Sequence, residues 1–208
     1  MISLLKELIK LYFFKRRWRK VNKHNYTVAG TSFPIDRVLV GEMSYGALNV
    51  FTWGEEDERL IIGNYVSIAS GVKFLLGGNH YYNTFLTYPL KVMVMGKKRE
   101  AWSKGPIVVE DDVWIGMDTM ILSGVKIGKG AVIAARSVVI KDIYPYAVVA
   151  GNPARIIKHR FDKKTIESLH DIDLKGLKDK INNRNVDLFY KKLSQKVIKQ
   201  IKGLIEKK

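Results

Sequence analysis

The sequence predicts a mainly β fold, a parallel β-helix with helices at both ends, and the prediction comes from a repeat. Residues 109–150 divide into blocks of six, and six blocks run without a slip. A helix repeats apolar residues about every 3.6 positions and a strand every 2, so neither explains this period. Branched residues at a period of six suit a short strand followed by a corner. Three blocks would close one triangular coil, and the coils would stack at about 4.8 Å, the spacing of neighbouring strands.

Two columns of the repeat are expected to form the core. The first position of each block holds Val109, Ile115, Ile121, Ile127, Ile133 and Val139. The fifth position, where three corners converge, holds Val113, Thr119, Val125, Ala131, Ser137 and Ile143. An inward-pointing residue is followed by glycine at Gly63, Gly116 and Gly128, where tight bends favour glycine.

Composition narrows the classes of function. The chain has 208 residues, a net charge of +16 and no cysteine, so disulfides, thiolate nucleophiles and cysteine-based metal sites are excluded. The charge is concentrated at the two ends, since residues 1–20 and 191–208 each carry a net +6. The repeat region is nearly balanced, and a nucleic-acid groove through the domain is therefore not indicated.

The first segment, residues 1–37, is predicted to be a basic amphipathic helix and a linker. Its apolar part is too short and too charged to span a bilayer, and it lacks the features of a secretory signal. One interpretation is a helix lying on an anionic membrane, and the other is a helix that packs on its own oligomer. The sequence leaves both open.

Residues 38–157 are assigned to the β-helix. Residues 38–54 show a weaker sixfold pattern that we interpret as the first coil, and the phase restarts near Ile62 after a charged loop. Residues 78–106 leave the repeat and form an excursion loop, rich in aromatic residues and lysine. Long loops in compact domains are usually functional, so this loop is expected to carry the site.

Residues 158–208 are predicted to form C-terminal helices. Asp162 is expected to cap the first of them. Residues 171–183 are polar and loop-like, whereas apolar residues recur every three or four positions over residues 184–206, which predicts one further helix. A packing role and a membrane-facing role remain open for that last helix.

The repeat resembles the hexapeptide-repeat acyltransferases, and within them the xenobiotic acetyltransferase subgroup, which includes polysaccharide O-acetyltransferases. The resemblance covers about residues 38–170 and is carried by four segments: residues 77–80 (GGNH), 87–90 (TYPL), 113–116 (VWIG) and 150–154 (AGNPA). It implies a left-handed parallel β-helix, a handedness that runs against the usual right-handed crossover. It also implies a homotrimer with sites shared between neighbouring subunits.

His80 is the catalytic residue that the resemblance implies, because it stands at the start of the excursion loop. A neutral imidazole is a natural general base for a hydroxyl acceptor. The group that holds its other ring nitrogen is expected to be either a backbone carbonyl of the loop or a carboxylate of Glu55, Glu56 or Asp57. No residue stands out as a nucleophile, which favours direct transfer from the donor to the acceptor.

Acetyl-CoA is the co-substrate that the resemblance implies, with no metal ion. The side chains near its pantetheine arm would be Trp114 and Met117, and Ala135 would contact it through the backbone. The phosphates and ribose of CoA would be held by three cations that suit a triply phosphorylated nucleotide: Lys141, Arg155 and Lys158. Solvated surface and simple packing remain alternatives for these side chains.

Two acceptors compete, a sugar hydroxyl and an antibiotic hydroxyl of the streptogramin or chloramphenicol type. Drug-modifying members of the subgroup carry a SYYSG-like segment before the repeat, where this chain has residues 43–47, MSYGA. They also end the first C-terminal helix in a Trp-rich segment, which is absent here. The sequence therefore favours a sugar of a capsule, a lipopolysaccharide or a glycan precursor, with Tyr45, Trp53 and Asn79 lining its pocket.

The predicted location is the cytoplasm, beside the inner face of the membrane if the basic ends contact lipid. Two further classes share the β-helix. A γ-type carbonic anhydrase needs three histidines on zinc, and His80 is the single histidine within the repeat region. A non-catalytic β-helix scaffold would not bind acetyl-CoA.

Overall fold

The structure is a computed structural model and describes residues 2–206. The helices are α1 (Ile2–Val21), α2 (Leu90–Met93), α3 (Lys163–His170) and α4 (Gln195–Glu206). The first seven strands are β1 (Tyr26–Ala29), β2 (Val38–Val40), β3 (Tyr45–Phe51), β4 (Leu60–Ile62), β5 (Ser67–Ile68), β6 (Lys73–Leu75) and β7 (Ile107–Val109). The other strands are β8 (Trp114–Ile115), β9 (Met120–Leu122), β10 (Lys126–Ile127), β11 (Val132–Ile133), β12 (Val138–Val139), β13 (Ala147–Ala150) and β14 (Arg155–His159). Short 3-10 helices lie at Ile35–Arg37, Leu177–Lys180 and Val186–Tyr190.

The strands line three faces of a parallel coil. Face A contains β1, the start of β3, β5, β8, β11 and β13, with β14 added antiparallel at its end. Face B contains β2, β4, β7 and β10, and face C contains the end of β3, β6, β9 and β12. Trp114 pairs with Val132, an offset of 18 residues, so three six-residue blocks make one coil. The chain visits faces B, A and C in turn, as a triangular β-helix requires.

Both predicted core columns are confirmed. The first-column side chains are at most 1% exposed, and those of the fifth column are at most 2% exposed except Ile143 at 7%. Burial of one branched aliphatic side chain contributes about 1.5–3 kcal/mol, and the same column is filled in every coil. Stacked branched residues therefore hold the coils in register.

The glycines after the inward residues serve a purpose different from the one predicted. None of the three glycines, Gly63, Gly116 and Gly128, has a positive φ angle. A Cβ on Gly116 would lie 2.5 Å from the amide nitrogen of Ala135, and one on Gly128 would lie 2.5 Å from the nitrogen of Pro145. Contact with the next coil, rather than a left-handed bend, is what excludes a side chain at these positions.

Two predicted boundaries shift. The segment interpreted as a linker contains β1, which pairs in parallel with β3 and places Tyr26 beside Tyr45. A four-residue strand shows no sixfold repeat, so the sequence pattern missed it. At the other end, β14 runs past residue 157 to His159, because the chain turns back and pairs with β13.

The prediction of one helix over residues 184–206 is wrong. A 3-10 helix, Val186–Tyr190, and α4 are separated by extended backbone at Lys191. Ser194 caps the start of α4, since its carbonyl accepts from Ile198 N at 2.9 Å and its Oγ from Val197 N at 3.4 Å. Both pieces turn apolar side chains toward one cavity of about 400 Å³, so an apolar pattern appears although the backbone is broken.

The C-terminal segment is fixed to the β-helix by a lysine at the corner between faces B and A. The Lys129 ammonium donates to the carbonyls of Leu169 and His170, each at 3.3 Å, and to that of Ile172. The carbonyls of Leu169 and His170 belong to the last turn of α3, where a cation is favourable. Burial lowers the pKa of Lys129, and nearby carboxylates oppose that shift. The predicted cap of α3 is confirmed, because the Asp162 carboxylate accepts from Thr165 N at 2.8 Å.

The second half of α1 packs on its own chain. Trp18 is fully buried and its indole N–H donates to Thr27 Oγ1 at 3.1 Å. The rings of Trp18 and Phe14 both contact Phe33 edge-on. Within residues 2–206, none of the helices is both long enough and apolar enough to cross a bilayer.

Candidate functional site

The excursion loop leaves and rejoins the coil at the corner between faces C and B, where an antiparallel bridge closes its base. Asn79 and Trp102 exchange backbone hydrogen bonds of 3.1 and 3.0 Å. The Asn79 side-chain amide donates to the Trp102 carbonyl at 3.0 Å and to Ser123 Oγ at 3.3 Å. The side-chain amide of Asn79 therefore connects the base of the loop to the coil.

His80 is exposed immediately after this bridge. Its Nδ1 lies 2.7 Å from the carbonyl oxygen of Thr87, within the same loop. A carbonyl only accepts hydrogen bonds, so Nδ1 carries the proton and Nε2 is the basic nitrogen. Of the two alternatives for the holder of the ring, the structure shows the backbone carbonyl. Any residue type at position 87 offers that carbonyl, so sequence could not identify it.

A cavity of about 440 Å³ lies beside the imidazole. Aromatic and aliphatic side chains dominate its lining, together with Lys91 and Glu100. The Glu100 carboxylate accepts from Lys91 N at 2.8 Å and from Val92 N at 3.4 Å, which fixes the two arms of the loop to each other. The arrangement offers a basic nitrogen at the edge of a largely apolar recess.

A second loop, residues 53–58, supports the base of the excursion loop. Glu58 is fully buried, and its carboxylate accepts from Trp53 N at 2.8 Å and from Gly54 N at 3.0 Å. Arg37 lies 3.6 Å from the same carboxylate. A Cβ on Gly78 would lie 2.6 Å from the Trp53 ring, so the indole presses on the backbone two residues before His80. Trp53, one of the predicted acceptor residues, therefore lies against the backbone of the segment that leads to His80.

The predicted cofactor residues are mostly gathered on face A and the adjoining corner with face C. Trp114 pairs with Val132, Val132 with Val148, and Val148 with Lys158, so that Trp114 and Lys158 lie in one outward row. Met117 and Ala135 stack at the corner, where the Arg136 amide donates to the Met117 carbonyl at 2.7 Å. Arg155 pairs with Ala150 next to that corner. All five predicted side chains in this group are exposed: Trp114, Met117, Ala135, Arg155 and Lys158.

Lys141 lies at a different corner. Val138 pairs with Met120 on face C. Lys141 lies three residues after Val138, and Ser123 lies three residues after Met120. Lys141 is therefore one coil beyond Ser123, at the corner that carries the excursion loop. Within one chain it is separated from the row of Trp114 and Lys158.

Tyr45 lies on face A, where it pairs with Ser67, and Ser67 pairs with Trp114. The imidazole of His80, by contrast, projects from the corner opposite this face. The structure therefore sorts the predicted residues into two groups on one chain, one around His80 and Trp53 and one along face A. Within residues 2–206 no three histidine or acidic side chains gather in a way that could hold a metal ion.

The coil of six-residue blocks defines the chain as a hexapeptide-repeat protein, and comparisons with known proteins support this class. Residues 106–141 match the family described as bacterial transferase hexapeptide (six repeats). A solved hexapeptide-repeat containing acetyltransferase from Vibrio cholerae, complexed with acetyl coenzyme A, is 30% identical with a TM-score of 0.54. That similarity covers 70% of this chain and 75% of the other. The chain belongs to the hexapeptide-repeat acetyltransferase family.

Curated relatives are similar over a shorter part. A chloramphenicol acetyltransferase of Klebsiella aerogenes is 41% identical over 126 residues, which are 57% of this chain and 60% of that enzyme. A probable macrolide acetyltransferase of Lysinibacillus sphaericus is 43% identical over 119 residues, covering 54% of this chain and 66% of that protein. The chain thus spans about 60% of the length of the first of these relatives.

Proposed function

We propose that this protein is an acetyl-CoA-dependent O-acetyltransferase in which His80 is the general base. The observation that carries the proposal is the hydrogen bond from His80 Nδ1 to the Thr87 carbonyl, which leaves Nε2 basic at the edge of a cavity. In the reaction, Nε2 takes the proton of the acceptor hydroxyl while its oxygen attacks the thioester carbonyl. The tetrahedral intermediate collapses, the C–S bond breaks and the imidazolium returns the proton to the CoA thiolate. The products are an acetyl ester and free CoA.

The site is proposed to form between subunits of a homotrimer. Apart from Lys141, the residues proposed to bind acetyl-CoA lie along face A and its corner with face C, whereas His80 projects from the corner opposite face A. A thioester held by Trp114 of one copy reaches an imidazole most simply if that imidazole belongs to a neighbouring copy. We take the coil to be left-handed, as the family resemblance implies. The relative solved with acetyl coenzyme A supports this donor.

The CoA proposal predicts that Arg155→Ala combined with Lys158→Ala weakens CoA binding by about tenfold or more, because each cation contributes a charge-assisted hydrogen bond to a phosphate. Isothermal titration with CoA measures the effect. Lys163→Ala is a matched control, since Lys163 is 92% exposed and lies on α3. Unchanged affinity in the double variant would assign the phosphates to other residues.

For the acceptor we propose a sugar hydroxyl of a capsule, lipopolysaccharide or glycan precursor, with Trp53 beside His80 and Tyr45 on face A of a neighbouring copy offering ring faces. The support is the departure of residues 43–47 from the segment typical of drug-modifying members, together with the absence of a Trp-rich end on α3. An antibiotic hydroxyl is the second candidate, favoured by the similarity to chloramphenicol and macrolide acetyltransferases and by the apolar cavity.

An acceptor panel separates these candidates. Release of free thiol from acetyl-CoA is measured with nucleotide sugars, glycan oligomers, chloramphenicol and a macrolide, and the product is mapped by mass spectrometry. Turnover with a sugar and none with the drugs is the expected result. A scaffold protein would instead show no rise in melting temperature with acetyl-CoA, because a ligand that binds the folded state must stabilise it.

The reaction is proposed to take place in the cytoplasm at the inner face of a membrane. Acetyl-CoA supplies the acetyl group there, and lipid-linked glycan intermediates would be within reach of an enzyme whose ends carry most of its positive charge.

A further inference from the structure

Residues 5–13 of α1 carry an apolar stripe that its own chain leaves largely exposed. Phe14 and Trp18 face the β-helix, where both of their rings contact the ring of Phe33 edge-on. On the outward side five apolar residues are between 47% and 62% exposed: Leu5, Leu8, Ile9, Tyr12 and Phe13. At 3.6 residues per turn these five fall within an arc of about 140°. The helix therefore has one face packed on its chain and a second apolar face, called here the α1 stripe.

The α1 stripe is bordered by cations. Six exposed basic residues lie on the same helix: Lys6, Lys10, Lys15, Arg16, Arg17 and Lys20. Glu7 is the only acidic residue among residues 1–20. Apolar and aromatic side chains flanked by lysine and arginine are the composition of helices that lie in the headgroup region of an anionic bilayer.

The orientation of α1 is fixed by contacts at its second half. The Arg19 guanidinium donates to the carbonyls of Thr27 at 3.0 Å and Asn25 at 2.8 Å, and Trp18 is buried beneath it. The α1 stripe is thus held on a seated helix rather than on a free tail. A surface presented in this way loses less conformational freedom on docking.

The basic C-terminal helix provides a contrast. In α4, Val197 and Ile198 are buried, while Ile201 and Ile205 line the cavity beside the β-helix. Its apolar face is satisfied within the chain, so the two basic ends are not equivalent. Among the described helices of eight or more residues, only α1 has five exposed large apolar side chains on one face with basic residues around them.

We infer that the α1 stripe docks on an anionic phospholipid bilayer. Charge complementarity selects this occupant over a second copy of the stripe, since two copies would bring together segments that each carry a net +6. An anionic surface matches the cations, and its acyl boundary accepts the leucines and aromatic rings. The inference is independent of the proposed reaction.

Vesicle flotation of the full-length protein tests the inference. Vesicles of phosphatidylcholine alone are compared with vesicles that also contain phosphatidylglycerol. The wild type is expected to float with the anionic vesicles and to be released by high salt. Phe13→Glu is expected to weaken binding by about tenfold or more, and Lys10→Gln by about fivefold.

Matched controls separate the stripe from exposed residues in general. Tyr190 is 84% exposed and the Lys163 side chain is 92% exposed. Tyr190→Glu and Lys163→Gln therefore replace an exposed aromatic ring and an exposed lysine outside α1. Both controls should float like the wild type, and circular dichroism should show unchanged melting for every variant. Binding that does not depend on phosphatidylglycerol, or that survives Phe13→Glu, overturns the inference.

A light-scattering measurement distinguishes the other occupant. If Phe13→Glu reduces the number of chains in the assembly and vesicle binding is absent in the wild type, the α1 stripe is a contact between copies and the inference is wrong. If the variant keeps the mass of the wild type while losing flotation, the bilayer is supported.

Discussion

Replacement of His80 by alanine is expected to lower the rate of acetyl transfer by about 10²–10⁴-fold, the usual contribution of a positioned general base. The loss should appear in kcat, because the imidazole acts on the proton that moves in the transition state. CoA affinity should be unchanged, since the residues proposed to hold CoA lie, apart from Lys141, along face A and its corner with face C. The measurement pairs thiol release from acetyl-CoA with titration of CoA into the same preparation.

The control for this variant is His170→Ala, which removes an exposed imidazole from the end of α3. It should retain the wild-type turnover. If His80→Ala keeps most of its activity, the general base is another group. A loss of CoA binding or of folded protein in His80→Ala would likewise contradict the assignment, because an exposed loop side chain should affect neither.

Replacement of Glu58 by alanine is expected to destabilise the fold by about 3–5 kcal/mol, the usual cost of removing one partner of a buried ion pair. The variant leaves the amides of Trp53 and Gly54 without the acceptor that they have now, and it removes the carboxylate that pairs with the Arg37 guanidinium. Urea denaturation followed by circular dichroism measures the change. Glu56→Ala is the matched control, because Glu56 is an exposed residue of the same loop and should change stability by less than about 0.5 kcal/mol.

Glu58→Gln refines this test. Trp53 N donates to one carboxylate oxygen and Gly54 N to the other, so an amide keeps one acceptor and turns its NH2 group toward the second donor. Its loss of stability should fall between zero and that of Glu58→Ala. Because Trp53 presses on Gly78, both variants are also expected to lower kcat by loosening the base of the excursion loop. Wild-type stability in Glu58→Ala would contradict the contacts on which this prediction rests.

The repeat predicted the β-helix because its core is built from local information. Each block carries its own inward residue, so the column Ile115, Ile121, Ile127 could be read without knowing what packs on it, and the structure confirms its burial. The start of the excursion loop was evident for the same reason, since the sixfold phase stops after Gly77. The cap at Asp162 was predictable for the same reason, because its carboxylate accepts a hydrogen bond from an amide only three residues further along the chain.

The sequence pattern failed where the decisive partner lies far along the chain or is a backbone atom. Gly116 is required by Ala135 in the next coil, and that approach is invisible before the coils are stacked. The strand β1 exists because β3 pairs with it, and four residues carry no period of six. One continuous helix and two shorter pieces around one cavity would give the same apolar pattern over residues 184–206. Only the packing of the folded chain distinguishes these two arrangements.

The sequence by itself determined the coil, its core columns and the position at which one histidine leaves the repeat, because these depend on spacing along the chain. The tertiary structure decided how that histidine is held, since the Thr87 carbonyl that accepts from its ring is independent of residue type. It also decided that Trp53 supports the loop and that Trp114 and Lys158 share a face turned away from the imidazole. These relations depend on which coil stacks on which and on the direction of each corner. Both are set by contacts between distant segments, so no single segment of the sequence determines them.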